Sequence, residues 1–406
     1  MPKSFSTTVQ GRILALVAIV LLALNLRPAL AGISPLLDAI QATTGINGTV
    51  AGLLTTLPIL MMGLCALLGE ALNTHLGERI GISLGVVLIA VACALRFATP
   101  GAEALLFSAL LAGSGIAVVQ SLMPYFIKRT FPEDPSRITG LYVTSIMAGA
   151  AMGAAISPPM TEHLGWGGAL GLWALPAVAA LLLWQPAALR FRTSRPCSAH
   201  EAARLAHTQA RPLWTSLRTW ELVVFFGLGT GAFTLILAWL PPYYTSLGWS
   251  PTSAGLMLGG ITMTEVCAGL AVSTWIGRFP DRRGPLLFVL TCLTAGLTLL
   301  VLAPGMTVAV CILLGVGVGS LFPLTLIVTI DHRDDPREAG ALAAAVQGGG
   351  YIIAAFFPLL AGLLRDRFAD LTQAWIAMGV GVLVMILMTL RLSPASYRRE
   401  APSRPL

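Results

Sequence analysis

The chain has 406 residues, of which 56% are hydrophobic and only 11% charged, with 42 glycines and a mean hydropathy of +0.82. Soluble proteins average about 25% charged residues, and the deficit runs along the whole length, which excludes a soluble multidomain enzyme and a disordered chain. The net charge of +7 is no sign of a nucleic-acid partner: there are two lysines, Lys3 and Lys128, and the arginines fall in short clusters between apolar runs, as membrane loops do.

A helix needs roughly 20 apolar residues to cross the hydrocarbon core of a bilayer. Twelve segments meet that measure, at 12–33, 49–70, 80–98, 103–127, 139–160, 166–186, 219–240, 252–275, 285–303, 306–330, 340–364 and 372–392. The expected fold is therefore an all-α polytopic membrane protein. The first segment superficially resembles a cleaved signal peptide, with Ala29-Leu30-Ala31 as the cleavage site. Asn25 and Arg27 interrupt its apolar run before that point, so it reads as a retained helix.

The intervals between spans set the orientation. With the N-terminus inside, 21 of the 25 lysines and arginines fall on the inner side, Arg96, Arg365 and Arg367 fall outside, and Arg27 lies within a span. The positive-inside rule then predicts a multi-pass protein of the cell (inner) membrane with both termini in the cytoplasm.

The two halves repeat. Ala51-Gly52-Leu53-Leu54 recurs as Ala254-Gly255-Leu256-Met257 at an offset of 203, and Gly45 matches Gly248 at the same offset. Ser121-Leu122-Met123-Pro124 recurs as Ser320-Leu321-Phe322-Pro323 at 199, while Gly140 and Pro158 match Gly340 and Pro358 at 200. Six crossings per half give both halves the same orientation, the arrangement of parallel repeats with a substrate site near the midplane where they meet. The expected organisation is an N-terminal bundle at 1–186, a basic linker at 187–218 with six arginines and one acid, Glu201, and a C-terminal bundle at 219–406.

This six-plus-six plan with a basic central linker resembles the major facilitator superfamily. The signature Gly-x-x-x-Asp-Arg-x-Gly of that superfamily is matched by Gly277, Asp281, Arg282 and Gly284, with Arg283 between the last two. The first copy is degenerate: Gly69 opens it, Asn73 stands at the Asp position, and one residue is inserted before Gly77 and Arg79. An acid beside arginines at helix ends can pin one conformation through charge-assisted bonds, so these residues form a candidate conformational latch. A narrower resemblance, to the cyanate transporter family that also contains 2-nitroimidazole exporters, rests on four stretches. They are Leu24-Asn25-Leu26-Arg27-Pro28, the run Gln120 to Arg129, the run Gly149 to Pro158, and Trp173-Ala174-Leu175-Pro176. The resemblance implies a secondary transporter working by alternating access as a monomer, with cyanate as the leading cargo and export of 2-nitroimidazole-type or other small drug molecules as the alternative.

Arg27 is the most informative residue. A guanidinium at a helix centre costs about 2.5–3.5 kcal/mol on insertion scales, and an always-charged fork of donors suits a small planar anion. It either lines the central cavity and binds the cargo or holds helix ends together. Glu265 is the one acid near a span centre. It neutralises Arg27 in the empty state, carries a proton coupled to transport, or is protonated and hydrogen-bonded within its own half. Asn25, Gln120, Trp239, Tyr243, Gln347 and Tyr351 are polar candidates within or at the ends of spans, where packing competes with substrate contact and Trp239 or Tyr243 can belong to an interfacial belt.

Other motifs point away from enzymes and cofactors. Gly315-Val316-Gly317-Val318-Gly319 lies inside a continuous apolar span and reads as close helix packing rather than a dinucleotide loop. Neither lysine sits in a phosphate-binding loop, there is no His-Glu-x-x-His, and five cysteines lie within apolar runs while Cys197 lies in the linker. The expected partners are the bilayer, a small anionic or electron-rich substrate, and protons if Glu265 couples them.

Overall fold

The computed structural model describes residues 9–98, 101–190, 213–333 and 335–393, so most of the expected linker, Cys197 included, lies outside the described residues. The long helices are α1 (Val9–Asn25), α2 (Gly48–Leu67), α3 (Gly69–Ala98), α4 (Ala102–Thr130), α5 (Pro135–Gly171) and α6 (Ala174–Arg190). They continue as α7 (Leu217–Ser246), α8 (Pro251–Trp275), α9 (Arg283–Leu302), α10 (Thr307–Ile330), α11 (Pro336–Phe368) and α12 (Thr372–Leu390). Among the described residues eleven stretches are long and apolar enough to cross a membrane, and one of them, Arg137–Leu189, has 53 residues. At 1.5 Å per residue that is ~80 Å, two crossings of a ~30 Å core. The break between the two falls at Gly165, whose φ of 67° and ψ of 171° no β-branched residue would tolerate. Twelve crossings result.

The first crossing departs from expectation. It does not run unbroken over 12–33: α1 stops at Asn25, a short turn covers Pro28–Ala31, a 3-10 turn covers Ser34–Leu36, and a last piece runs Leu37–Thr44. Pro28 lacks the backbone donor that would continue the ladder of α1, and Arg27, at φ −109° and ψ −22°, caps the short turn that follows instead. Arg96, counted with the outer side, is a buried side chain, 2% exposed, near the end of α3. Its Nη1 donates to the Ala29 carbonyl at 2.7 Å and its Nε to Ser108 Oγ at 3.1 Å, so the guanidinium satisfies a carbonyl freed by the break in the first crossing.

The internal repeat extends to backbone conformation. Gly45 and Gly248 both end a helical stretch at positive φ, 69° and 92°. Two residues on, Asn47 Oδ1 accepts from the Val50 N–H at 2.9 Å and Ser250 Oγ accepts from the Ser253 N–H at 3.1 Å, so both following helices carry side-chain N-caps. Where the first six helices meet the second six, the repeat recurs again. A Cβ on Gly52 of α2 would lie 2.6 Å from the Pro358 carbonyl oxygen of α11, and one on Gly255 of α8 would lie 3.1 Å from Pro158 of α5. Each matched glycine packs on the opposite half's matched proline, the close backbone approach that small residues permit between helices in lipid.

Polar contacts between the halves concentrate at one end. Arg365 of α11 pairs with Asp38 at 3.2 Å and donates to Gln41 at 3.1 Å, Thr245 of α7 donates to Asp38, and Ser34 donates to the Ala238 carbonyl at 2.8 Å. Asp366 accepts from the backbone of Gly48 and Thr49. At the opposite end the ion pairs stay within one half. They are Arg12–Glu133 and Arg129–Glu78 in the first, and Arg282–Asp331, Arg283–Asp281, Arg333–Glu338, Arg391–Glu221 and Arg218–Glu221 in the second. Among the described residues no ion pair joins the halves there. The hydrophobic cores follow the same division. One cluster spans Ala15 to Ala188 within the first six helices, and the other fills the second six and takes in Ala31 to Leu54 at the joined end.

Candidate functional site

The break in the first crossing positions Arg27. Leu26 closes a tight turn on Ala23 at 3.1 Å, and the Arg27 carbonyl accepts from Leu30 and Ala31 at 3.0 and 2.9 Å, so Arg27 caps the next turn with its side chain free to project. α5 presses on this segment: a Cβ on Gly153 would come 2.7 Å from Pro28. Arg96 holds it from the other side.

The Arg27 side chain is only 4% exposed. Its guanidinium carbon lies 5.4 Å from the centroid of the Phe233 ring of α7, a cation–π contact across the two halves. It interacts electrostatically with Tyr351 of α11, Glu265 of α8 and Tyr142 of α5. No hydrogen bond or ion pair of the guanidinium occurs among the described residues, and Nε is buried without a partner. Glu265 is likewise buried, 6% exposed, and the Cα of Gly319 is tucked against its backbone. The pair attract through space without a direct salt bridge, so the cation keeps donors unused in a region from which water is largely excluded.

The other expected residues divide between this centre and its surroundings. Tyr351 joins the site and stacks edge-on against Phe226 at 5.6 Å. It packs against both halves' hydrophobic cores. Asn25 is buried beside Arg27, but its Nδ2 donates to the Leu21 carbonyl at 2.7 Å, which spends one donor on its own helix. Gln120 and Gln347 are half-buried. Trp239 is fully buried, donates from Nε1 to the Pro358 carbonyl at 2.9 Å and lies under Arg365, so it belongs to the joined end. Tyr243 is buried and donates to the Leu300 carbonyl at 3.0 Å. Neither aromatic sits in an exposed interfacial belt.

The candidate latch is intact in one half only. Gly277 and Asp281 lie in the turn before α9, where Arg283 donates to Asp281 at 2.7 Å and holds that carboxyl below the usual carboxylate range. Arg282 reaches Asp331 at the end of α10 at 2.9 Å, and the Ile276 and Phe279 carbonyls at 2.6 Å. In the first half Gly69 opens α3 and Asn73 is half-buried, while Arg79 is exposed; neither of the latter side chains makes an ion pair among the described residues. The tie to the end of α4 is made instead by Glu78 with Arg129 at 2.7 Å, the same place in the repeat as Arg282–Asp331 with the charges exchanged.

Sequence reasoning did not single out Tyr142 or Phe233, the two aromatics that complete the surroundings of Arg27. An aromatic inside an apolar span carries no local signal of its own; only the separate approach of α5 and of α7 to the broken first crossing brings them in.

The family model described as Major Facilitator Superfamily matches residues 14–358. The chain is 35% identical to the "Cyanate transport protein CynX" of Escherichia coli (strain K12), over 94% of this chain and 98% of that protein. It is 30% identical to the "2-nitroimidazole transporter" of the same organism, over 95% of this chain and 96% of that one. In fold it is similar to the crystal structure of a D-xylose–proton symporter, with a TM-score of 0.72 at 15% identity, covering 93% of this chain and 97% of the symporter.

Proposed function

The chain belongs to the major facilitator superfamily and is a multi-pass secondary transporter rather than an enzyme, and we propose that its cargo is a small anion, with cyanate the leading candidate. The observation that carries this reading is Arg27: a buried guanidinium between the two halves whose Nε has no partner among the described residues. An anion entering there gains a charge-assisted bond in a low-dielectric setting and relieves the cost of an unsatisfied donor. The 35% identity to a cyanate transport protein supports the choice of cargo.

In this reading the bundles at 1–186 and 219–406 rock about Arg27, joined by the linker at 187–218, in a chain that works as a monomer with both termini cytoplasmic in the inner membrane. The Asp38–Arg365 end is then the closed external side. Arg282–Asp331 and Glu78–Arg129 brace the cytoplasmic ends of each bundle. Glu265 balances Arg27 before cargo arrives, and a proton that it takes up travels with the anion.

Cyanate uptake into proteoliposomes, together with thermal stabilisation of the purified protein by cyanate, tests the reading. Arg27→Ala abolishes both while the protein still folds; stabilisation by cyanate at comparable affinity in Arg27→Ala overturns it. Stabilisation by 2-nitroimidazole and none by cyanate overturns the choice of cargo. Glu265→Gln removes the pH dependence of uptake, and an unchanged pH profile rules out its proton.

A further inference from the structure

We propose that the Tyr142 hydroxyl is a second hydrogen-bond donor to the cargo, so that the site reads two acceptor atoms of an anion rather than its charge alone. This rests on the anion reading above and concerns the recognition chemistry of the same site.

Tyr142 lies on α5 and is 4% exposed. Its hydroxyl is buried without a hydrogen-bond partner among the described residues, as is Arg27 Nε. A buried tyrosine hydroxyl ordinarily finds a partner, because leaving it unmade costs the desolvation of the group. Here two orphaned donors occur together: Tyr142 interacts electrostatically with Arg27 and with Tyr351 of α11, and Tyr351 packs against the first-half core to which Tyr142 belongs. The two do not satisfy each other: the guanidinium has no acceptor for the Tyr142 proton, and no hydrogen bond from Arg27 to the Tyr142 oxygen occurs among the described residues. The group that fits both is an acceptor from outside the chain, and an anion with acceptors at two atoms satisfies both at once. Phe233 supplies a flat apolar wall under the guanidinium that favours a slim or planar body over a bulky one. Trp184 offers a built-in control. Its indole Nε1 is also buried and unpartnered among the described residues, but it packs edge-on against Phe126 at 4.8 Å inside the first bundle.

The probes are sodium cyanate, with acceptors at both ends, and sodium bromide, a monatomic anion that needs the charge alone. Binding to the purified full chain is measured by calorimetry, with melting temperature as the check on folding. Tyr142→Phe is expected to weaken cyanate binding about tenfold, the worth of ~1.4 kcal/mol, and to change bromide binding less than twofold at an unchanged melting temperature. Trp184→Phe is expected to leave both anions as in the parent. Cyanate binding by Tyr142→Phe within twofold of the parent overturns the proposal, as does an equal loss for both anions, which marks a packing role. If the parent protein binds neither anion, the cargo reading itself fails.

Discussion

Asp366 near the end of α11 caps the start of α2 through Gly48, 318 positions away: its Oδ1 accepts the Gly48 N–H at 2.6 Å, while Oδ2 accepts the Thr49 N–H at 2.7 Å and the Thr49 hydroxyl at 2.6 Å. The carboxylate meets two of the four orphan N–H groups of this helix N-terminus and the positive end of the helix dipole. This cap joins two helices that belong to opposite halves, so it is worth something only while that end stays shut.

Removing the cap therefore shifts the conformational balance. A hydrogen bond to a charged group is worth roughly 1.5–3 kcal/mol, and the partly exposed setting argues for the lower figure. Asp366→Ala is expected to raise the population open at this end about tenfold, with Asp366→Asn in between. Spin labels replacing Ala42 and Leu247, both exposed at that end, report it as growth of a longer-distance population. An unchanged distance distribution means that the apolar packing beneath holds the end shut by itself.

The glycine–proline crossings make a prediction of opposite sign at two glycines. Gly52 faces the Pro358 backbone with no room for a Cβ, whereas a Cβ on Gly379 of α12 would meet nothing within 4 Å. Gly52→Val forces α2 and α11 apart and is expected to cost ~1–3 kcal/mol, as overpacking does. Gly379→Ala gains up to ~1 kcal/mol from helix propensity. Melting temperatures of the purified variants, one falling and one rising or unmoved, check the pair; a Gly52→Val protein as stable as the parent means that the crossing seen here is not tight in solution.

The same crossings show why the architecture was legible in the sequence and the site only partly so. Span count, repeat and family follow from apolar run length and from Gly and Pro at matched offsets, properties that a bilayer imposes on each helix separately. Arg27 was legible for that reason too, since a charge in a span is costly enough to need a purpose. The role of Arg96 was not legible because position near a span end says nothing about side-chain direction; it turns inward to a carbonyl freed by the break in the first crossing. Trp239 has the composition of a site residue, yet its indole is committed to the Pro358 carbonyl. Tyr142 has the composition of a packing residue, yet its hydroxyl is uncommitted. Which of two aromatics keeps a free donor depends on neighbours about 120 positions away, as with Trp239 and Pro358, and no window of sequence contains them.

His332, just beyond α10, gives the chain a pH-dependent element outside the membrane. Its Nδ1 lies 2.6 Å from the Val328 carbonyl and its Nε2 accepts from Arg218 Nε at 3.1 Å, an arrangement that fits the neutral ring with the proton on Nδ1. Burial first, and then the nearby Arg218 and Arg333 charges, push its pKa down to about 4, against the opposing pull of the Val328 carbonyl and Asp331. The folded protein thus refuses a proton that the unfolded chain accepts near pH 6.5. The contribution is complete above pH 6.5 and is lost as the pH falls towards 4, because in that window unfolding takes up a proton. Melting temperature measured from pH 7.5 to 4 should fall more steeply for the parent than for His332→Gln, which has no such ionisation. The difference between the two should be largest above pH 6.5 and should shrink steadily below it. Parallel curves would mean that His332 is accessible to protons in the folded protein, and that the Arg218 contact does not persist in solution.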